Sequence, residues 1–332
     1  MDSSTSHSKP AVPWWALQLL AVALATWGGG TAYTLCWNPE ISFFSRGDTL
    51  KREWAARLRT THTNVFVVFG GSSCTTSVQP RRLLERHQLP VLNLGLHAGM
   101  GANVLARYAL EALRSGDTLV VAIEPGLLYD RVDLEPLGVQ FLIATGRAEL
   151  LRGEVGIPWL AALLDMRPGG YHVLTMLGKI LLQQPYYRYG HAEFEEGGWH
   201  NVAERRELTV SPAVKPMNIS KPGRVWLEMI RDECARRNVR VACTLPWHFY
   251  PLDQLPAAQR QHLQFVREVS AVIPVLREPG LGIHPVREHF ADSNVHPTSD
   301  AAAMRTDELA ASLHSWSLWT ASEIEARMNA LR

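Results

Sequence analysis

Residues 65–69, Val-Phe-Val-Val-Phe, form an apolar, β-branched and aromatic run with no polar alternation, and runs of similar character recur along the chain. A strand with one wet face alternates; one that is apolar throughout is buried on both faces, the condition of a strand inside a parallel sheet. The periodicity predicts strands at about 64–69, 91–94, 118–123, 239–245 and 273–276. Helical spacing fills the intervals, at 49–60, Pro80–His87, 102–114, 224–237, 257–270 and Ser299–Ser315. Strands alternating with helices specify an α/β fold with a doubly wound parallel sheet and right-handed crossovers. Between about 126 and 220 the rhythm loosens into apolar helical pieces at 158–164 and 174–182 and into aromatic loops such as Tyr186-Tyr187-Arg188-Tyr189. This segment reads as an inserted cap region over a site.

The N-terminus is a separate problem. After a polar tail at 1–12, residues 13–37 continue a stretch that carries no charge from 11 to 37. At about 1.5 Å rise per residue this is enough helix to cross a bilayer. Trp14 and Trp15 at one end, with Tyr33 and Trp37 at the other, suit the two interfaces. A single-pass transmembrane anchor is the leading expectation; a cleavable signal segment, with Ala23-Leu24-Ala25 as its cleavage pattern, is the alternative. Lys9 alone precedes the segment apart from His7, while Arg46, Lys51 and Arg52 follow it, so the positive-inside rule by itself argues against an external C-terminal domain. Residues 38–332 hold the α/β domain.

A net charge of +1 and the lack of any Lys/Arg block leave no footprint for nucleic acid. Cys36, Cys74, Cys234 and Cys243 form no C-x-x-C pair and no metal-ligand spacing, and free thiols are expected. His284, His289 and His296 do not share one helical face. No metal or cofactor is implied.

Gly70-Gly71-Ser72 ends the first strand, and Asp292-Ser293-Asn294-Val295-His296 lies near the other end of the chain. Paired glycines permit a sharp turn at the carboxyl edge of a strand, where open α/β sheets bind ligands. Ser72 then reads as a nucleophile, His296 as its base and Asp292 as the group that orients the imidazole. The plain alternative makes Ser72 or Ser73 a helix N-cap. Cys74 belongs to the following helix and is a weak rival nucleophile, and His248 reads as a loop or substrate contact.

These motifs resemble those of the SGNH/GDSL hydrolase superfamily: the Gly-x-Ser at 70–72, Pro80 after it, Asn93-Leu94-Gly95 with Gly99 beyond, and the late Asp…His pair. The longer spacing of Asp292 and His296, with His296-Pro297-Thr298, Arg305-Thr306 and Leu309, is similar to the membrane-anchored branch containing alginate O-acetylation proteins and the teichoic-acid D-alanylation protein. The resemblance implies a three-layer, flavodoxin-like doubly wound sheet and an acyl-serine mechanism. It implies Gly99, or Ala98 in a register shifted by one, as an oxyanion-hole amide. It also implies an external, periplasmic or extracellular domain. The chain departs from the pattern in one place: an Asn side chain is expected after the strand at 118–123, and Glu124-Pro125-Gly126 stands there. A carboxylate does not donate to an oxyanion unless protonated. His97 and Asn103 are the nearest alternative donors.

The expected function is a membrane-anchored, extracytoplasmic O-acyltransferase, acetyl by preference, acting on a cell-envelope or exported polysaccharide. Its implied partner is a multispanning membrane acyltransferase that delivers the acyl group. A carbohydrate acetylesterase and a non-catalytic polysaccharide-binding or assembly subunit are the alternatives. The aromatic Trp199-His200-Asn201 segment reads as an acceptor platform or simply as a lid.

Overall fold

A computed structural model describes residues 13–129, 134–151, 178–179, 181–183, 187, 189–202, 214 and 216–331. Helix α1, Trp14–Cys36, is 23 residues long, and its exposed face carries Trp14, Leu19, Val22 and Leu24. It is long and apolar enough to cross a membrane. Only its last turns touch the rest of the chain, where Gly30 and Thr34 are buried. The helix stops when the amides of Trp37 and Asn38 both donate to the Tyr33 carbonyl, at 2.8 and 2.9 Å. Asn38 then caps the next helix by accepting the Glu40 amide at 2.9 Å, and Pro39 occupies its first turn. Helix α2 is therefore Pro39–Thr61, beginning ten residues before the expected start at 49. The cap, rather than apolar spacing, sets that boundary.

Strands β1 (Phe66–Phe69), β2 (Val91–Asn93), β3 (Thr118–Val121) and β4 (Arg240–Cys243) form one parallel sheet in the order β2-β1-β3-β4. The segment expected as a fifth strand at 273–276 makes a single parallel bridge, Cys243 to Val275, beside β4. Helices α3 (Ser72–Ser77) and α4 (Pro80–His87) follow β1, and α5 (Gly101–Ala112) follows β2. Helix α6 (Pro136–Ala144) falls inside the expected insertion. Helices α7 (Lys221–Arg236), α8 (Leu255–Ser270) and α9 (Ser299–Ser315) continue the fold, and α10 (Ala321–Ala330) closes it without having been expected from the sequence. The expected piece at 158–164 and most of that at 174–182 lie outside the described residues.

Alternate residues of each strand belong to different cores, as an unalternating apolar run requires. Val67, Phe69, Leu119 and Val121 join Trp54 and Leu58 of α2, Val104 and Leu105 of α5, and Trp226 and Leu227 of α7. Val68, Val91, Val120 and Ala242 face the other way, onto Leu83 of α4 and Leu309, Ala310 and Leu313 of α9. Helices therefore cover both faces. The chain leaves β1 toward β2 on one side and returns to β3 on the other, which opens a crevice beyond the carboxyl ends of β1 and β3.

Lys51 is a buried cation of this frame that, among the described residues, lacks the direct carboxylate partner Arg305 and Arg147 each have. Lys51 of α2 is 1% exposed, and its Nζ donates to the carbonyls of Asn93 and Gly198, each at 2.9 Å. It joins α2 to the end of β2 and to the described part of the insertion. Burial pulls its ammonium down to about 8 from 10.5, with the Cys74 and Asp48 charges opposing. Below about pH 8 folded and unfolded chains both hold the proton, and the folded state bears the full burial cost. Between about 8 and 10.5 the unfolded chain binds a proton that the folded chain has lost, so stability rises with pH. Chemical unfolding of wild type and Lys51→Met across pH 7–11 is expected to differ by a term that shifts toward the wild type by roughly 3 kcal/mol through that window. A pH-independent difference would show that Lys51 is not desolvated.

Candidate functional site

The crevice is built by three strand ends. Gly70 sits against β3 so closely that a Cβ there would lie 2.0 Å from the Ala122 carbonyl oxygen, and a Cβ at Gly71 would lie 2.4 Å from Oε2 of Glu124. Both positions are closed to larger residues. The Ala122 amide donates to Phe69 at 2.7 Å, and the Leu96 amide donates to Gly70 at 3.1 Å, which brings the ends of β1, β2 and β3 together.

Glu124 is folded onto the turn. Its Oε2 accepts the Gly71 amide at 3.0 Å, and its Oε1 accepts both the Ser73 amide at 2.9 Å and the Ser73 hydroxyl at 2.7 Å. The carboxylate thereby satisfies amides that a short helix start leaves without acceptors. It also separates the two serines: Ser73 is buried with its hydroxyl engaged, whereas Ser72 is half-buried, and its hydroxyl and amide have no partner among the described residues. The plain N-cap reading fails for both, because the cap position is Gly71 and the first-turn amides are taken by Glu124 rather than by either serine.

The late motif lies within electrostatic range of His97, which also feels Glu124. Asp292 is 1% exposed, and its Oδ1 lies 2.8 Å from Nδ1 of His296. A carboxylate only accepts, so Nδ1 carries the proton and Nε2 presents its lone pair. Nε2 is buried and has no hydrogen-bond partner. The extra residue between Asp292 and His296 is accommodated by a closed loop in which the Ala291 amide donates to the His296 carbonyl at 2.8 Å. Helix α9 beyond the loop is tied to α3, since Thr306 Oγ1 donates to the Ser77 carbonyl at 3.0 Å. The second oxygen of Asp292 accepts the Tyr189 hydroxyl at 2.6 Å. Tyr189 in turn sits edge-on to His200, whose amide donates to Thr75 of α3 at 3.1 Å. Tyr189 was not singled out as a site residue; its place in a tyrosine-rich stretch was the only signal.

His97 stands between the two halves. Burial pushes its imidazole below the ordinary value, Glu124 opposes that, and His296 adds to it. Its Nδ1 accepts the Gly99 amide at 3.0 Å, so the neutral ring carries its proton on Nε2 and can donate it. The Gly99 amide, expected to face an oxyanion, is thus engaged by His97. Asn103 lies on α5 and lines another cavity, of about 800 Å³, with Arg107, Trp226 and Met229.

Other candidates are placed clearly. Burial lifts the Cys74 thiol to about 12, with Lys51 opposing, which removes it as a nucleophile at neutral pH. All four cysteines are free. His248 is buried with Nδ1 3.1 Å from the Pro246 carbonyl, and burial lowers its imidazole while that carbonyl and Glu124 act the other way. His284 and His289 contact each other at 2.6 Å. Among the described residues no group of three or more His, Cys, Asp or Glu side chains is arranged to hold a metal ion. The chain matches no family model and no curated protein.

The tyrosine contact is directly testable. Tyr189→Phe removes a hydrogen bond to a buried carboxylate, and is expected to lower the unfolding free energy by about 2 kcal/mol. Urea unfolding in detergent micelles measures it. A loss below about 0.5 kcal/mol, the scatter of neutral surface changes, would mean that Asp292 does not depend on Tyr189.

Proposed function

We propose that the chain is a membrane-anchored serine acyltransferase of the SGNH type. In this reading the fold is the three-layer, flavodoxin-like doubly wound sheet, in keeping with the β2-β1-β3-β4 order and the helices on both faces. The observation that carries the proposal is the presence, around His97 and Glu124, of an oriented imidazole with an unpartnered Nε2, on His296, and a half-buried serine with an uncommitted hydroxyl, Ser72. That is the division of labour required of a base and a nucleophile. His296 takes the Ser72 proton as Oγ attacks an acyl carbonyl, and Asp292 stabilises the imidazolium. Nε2 must come within about 3 Å of Oγ for this, a contact that tightens when substrate is bound. The Ser72 amide and the His97 Nε2–H are the donors available to the oxyanion. The acyl group then passes to a polysaccharide hydroxyl, O-acetylation being the favoured case. The domain is assigned to the periplasmic or extracellular side, beside a multispanning acyltransferase that supplies the acyl group. Both assignments rest on the family resemblance.

Glu124 favours a second reading. A carboxylate beside the nucleophile, holding the amides of Gly71 and Ser73, is a poor surrounding for a developing anion, and suits a polysaccharide-binding or assembly subunit that has left catalysis. Labelling of the full-length protein with a fluorophosphonate separates the two. Under the catalytic reading wild type and Ser73→Ala are labelled, Ser72→Ala is not, and His296→Ala is slowed by at least 100-fold. Unlabelled wild type, or labelling that persists in Ser72→Ala, would favour the binding subunit. With an acetylated donor and a glycan acceptor, acetyl glycan marks the transferase, and free acetate alone marks an acetylesterase.

A further inference from the structure

The candidate site and the membrane helix are joined by two short, independent routes. The first is the chain itself. Between α1 and α2 only Trp37 and Asn38 intervene, and both amides are fixed on Tyr33. Phe43 and Phe44 follow within two turns, about 10–12 Å of helix beyond Cys36. The Phe44 ring centroid lies 5.7 Å from that of His97, and the Phe43 centroid lies 5.1 Å from His200, which abuts the Tyr189 that holds Asp292. The second route is α6. This helix, apolar except for Gln140, packs against α1 and also against the 98–100 turn that follows His97. A Cβ at Gly138 would lie 2.4 Å from the Met100 carbonyl oxygen, and Leu137 Cδ2 is 3.6 Å from where a Gly99 Cβ would be.

The depth of the bilayer follows from lengths. From Trp14 to Gly29, where the helix is exposed or half-buried, α1 covers about 24 Å at 1.5 Å per residue, less than the roughly 30 Å of hydrocarbon it must cross. The apolar layer must therefore extend into the turns where Gly30 and Thr34 are packed on the domain. The first charged residue beyond the span is Glu40. The interface is thereby confined to the junction of α1, α2 and α6, and His97 lies directly behind that junction.

We infer that the Ser72 crevice opens at the bilayer surface and receives its acyl group from a lipid-borne ester, the form in which a neighbouring acyltransferase would leave it, rather than from a donor in bulk water. The inference about donor rests on the acyl-serine reading, and the position at the surface on the reading of α1 as a membrane span. In the first step the bond from Ser72 Oγ to the acyl carbon forms while the donor's ester C–O bond breaks. The Ser72 proton passes through His296 to the departing lipid alcohol, which stays in the membrane. Placing the site at the interface makes encounter two-dimensional for the donor and leaves the aqueous side of the crevice for the acceptor.

Two measurements on the full chain in phosphatidylcholine–phosphatidylglycerol vesicles test this separately. In a Cys36→Ser background, a fluorophore on Ala98→Cys, in the turn behind His97, is expected to be quenched at least twofold by lipids bearing a head-group nitroxide. The same fluorophore on Ser115→Cys, at the opposite edge of the sheet, is expected to be unaffected. Equal quenching at the two positions, or none at Ala98→Cys, overturns the surface position. A fluorophosphonate with a membrane-partitioning alkyl chain is then expected to label Ser72 at least tenfold faster than a short, water-soluble one, and to lose that advantage in detergent. Equal rates in vesicles overturn the lipid-borne donor. Absence of labelling by both probes in vesicles and detergent would sink the acyl-serine reading and the donor with it, while the quenching result still decides the position.

Discussion

The carboxylate of Glu124 organises this edge of the sheet. It stands at the end of β3, crosses to the turn after β1, and binds two amides and one hydroxyl there. Without it the α3 start would leave buried donors unsatisfied, at about 1–3 kcal/mol each. Its presence explains why residue 71 has no side chain, since a Cβ would displace the carboxylate. It also decides which of two adjacent serines is chemically free. The identity of the candidate nucleophile is thus a consequence of a hydrogen-bond count made on its neighbour.

A second dependence runs inward from the apolar helix α1. Helix α2 is at once the continuation of α1 and the wall against which the aromatic cluster of Phe43, Phe44, Tyr187, Tyr189, Phe194 and His200 packs. Lys51, two turns further along the same helix, fastens Asn93 and Gly198 to it through buried carbonyl contacts. The candidate site is therefore assembled around the continuation of α1, and the insertion contributes the residue that steadies Asp292. A flexible tether would not transmit position in this way. A junction of two residues, both hydrogen-bonded, does.

Much of this was legible in the sequence, for identifiable reasons. The four strands appear as apolar runs because burial on both faces abolishes alternation, and Pro80–His87 and Ser299–Ser315 stand out through their proline start or helical spacing. Ser72 and the Asp292–His296 pair were readable because glycines and a fixed Asp…His spacing leave local marks. Tyr189, Lys51 and the engagement of Gly99 by His97 were not, since each depends on contacts between distant segments that no local pattern encodes. Glu124 was read as a missing donor, which is correct chemistry; its positive role as an acceptor for Gly71 and Ser73 required the register of β1 against β3.

Under the acyl-transfer proposal, Glu124 also bears on the choice between water and a glycan hydroxyl as acceptor. A carboxylate beside a developing oxyanion opposes it, by about 3 kcal/mol for unit charges separated by about 6 Å at an effective dielectric constant of 20. That resembles the loss of one oxyanion donor, two to three orders of magnitude in rate. The imidazolium formed on His296 offsets part of it, but equally for any acceptor. A site weakened by this amount turns over slowly with small, unpositioned nucleophiles. It recovers rate where binding energy from an extended acceptor is used for orientation, because effective molarity contributes more than the electrostatic loss. The aromatic cluster of Phe43, Tyr189, Phe194 and His200 offers such binding area. The substitution of Glu for a donor at this position therefore favours transfer to a held polysaccharide over hydrolysis of free esters.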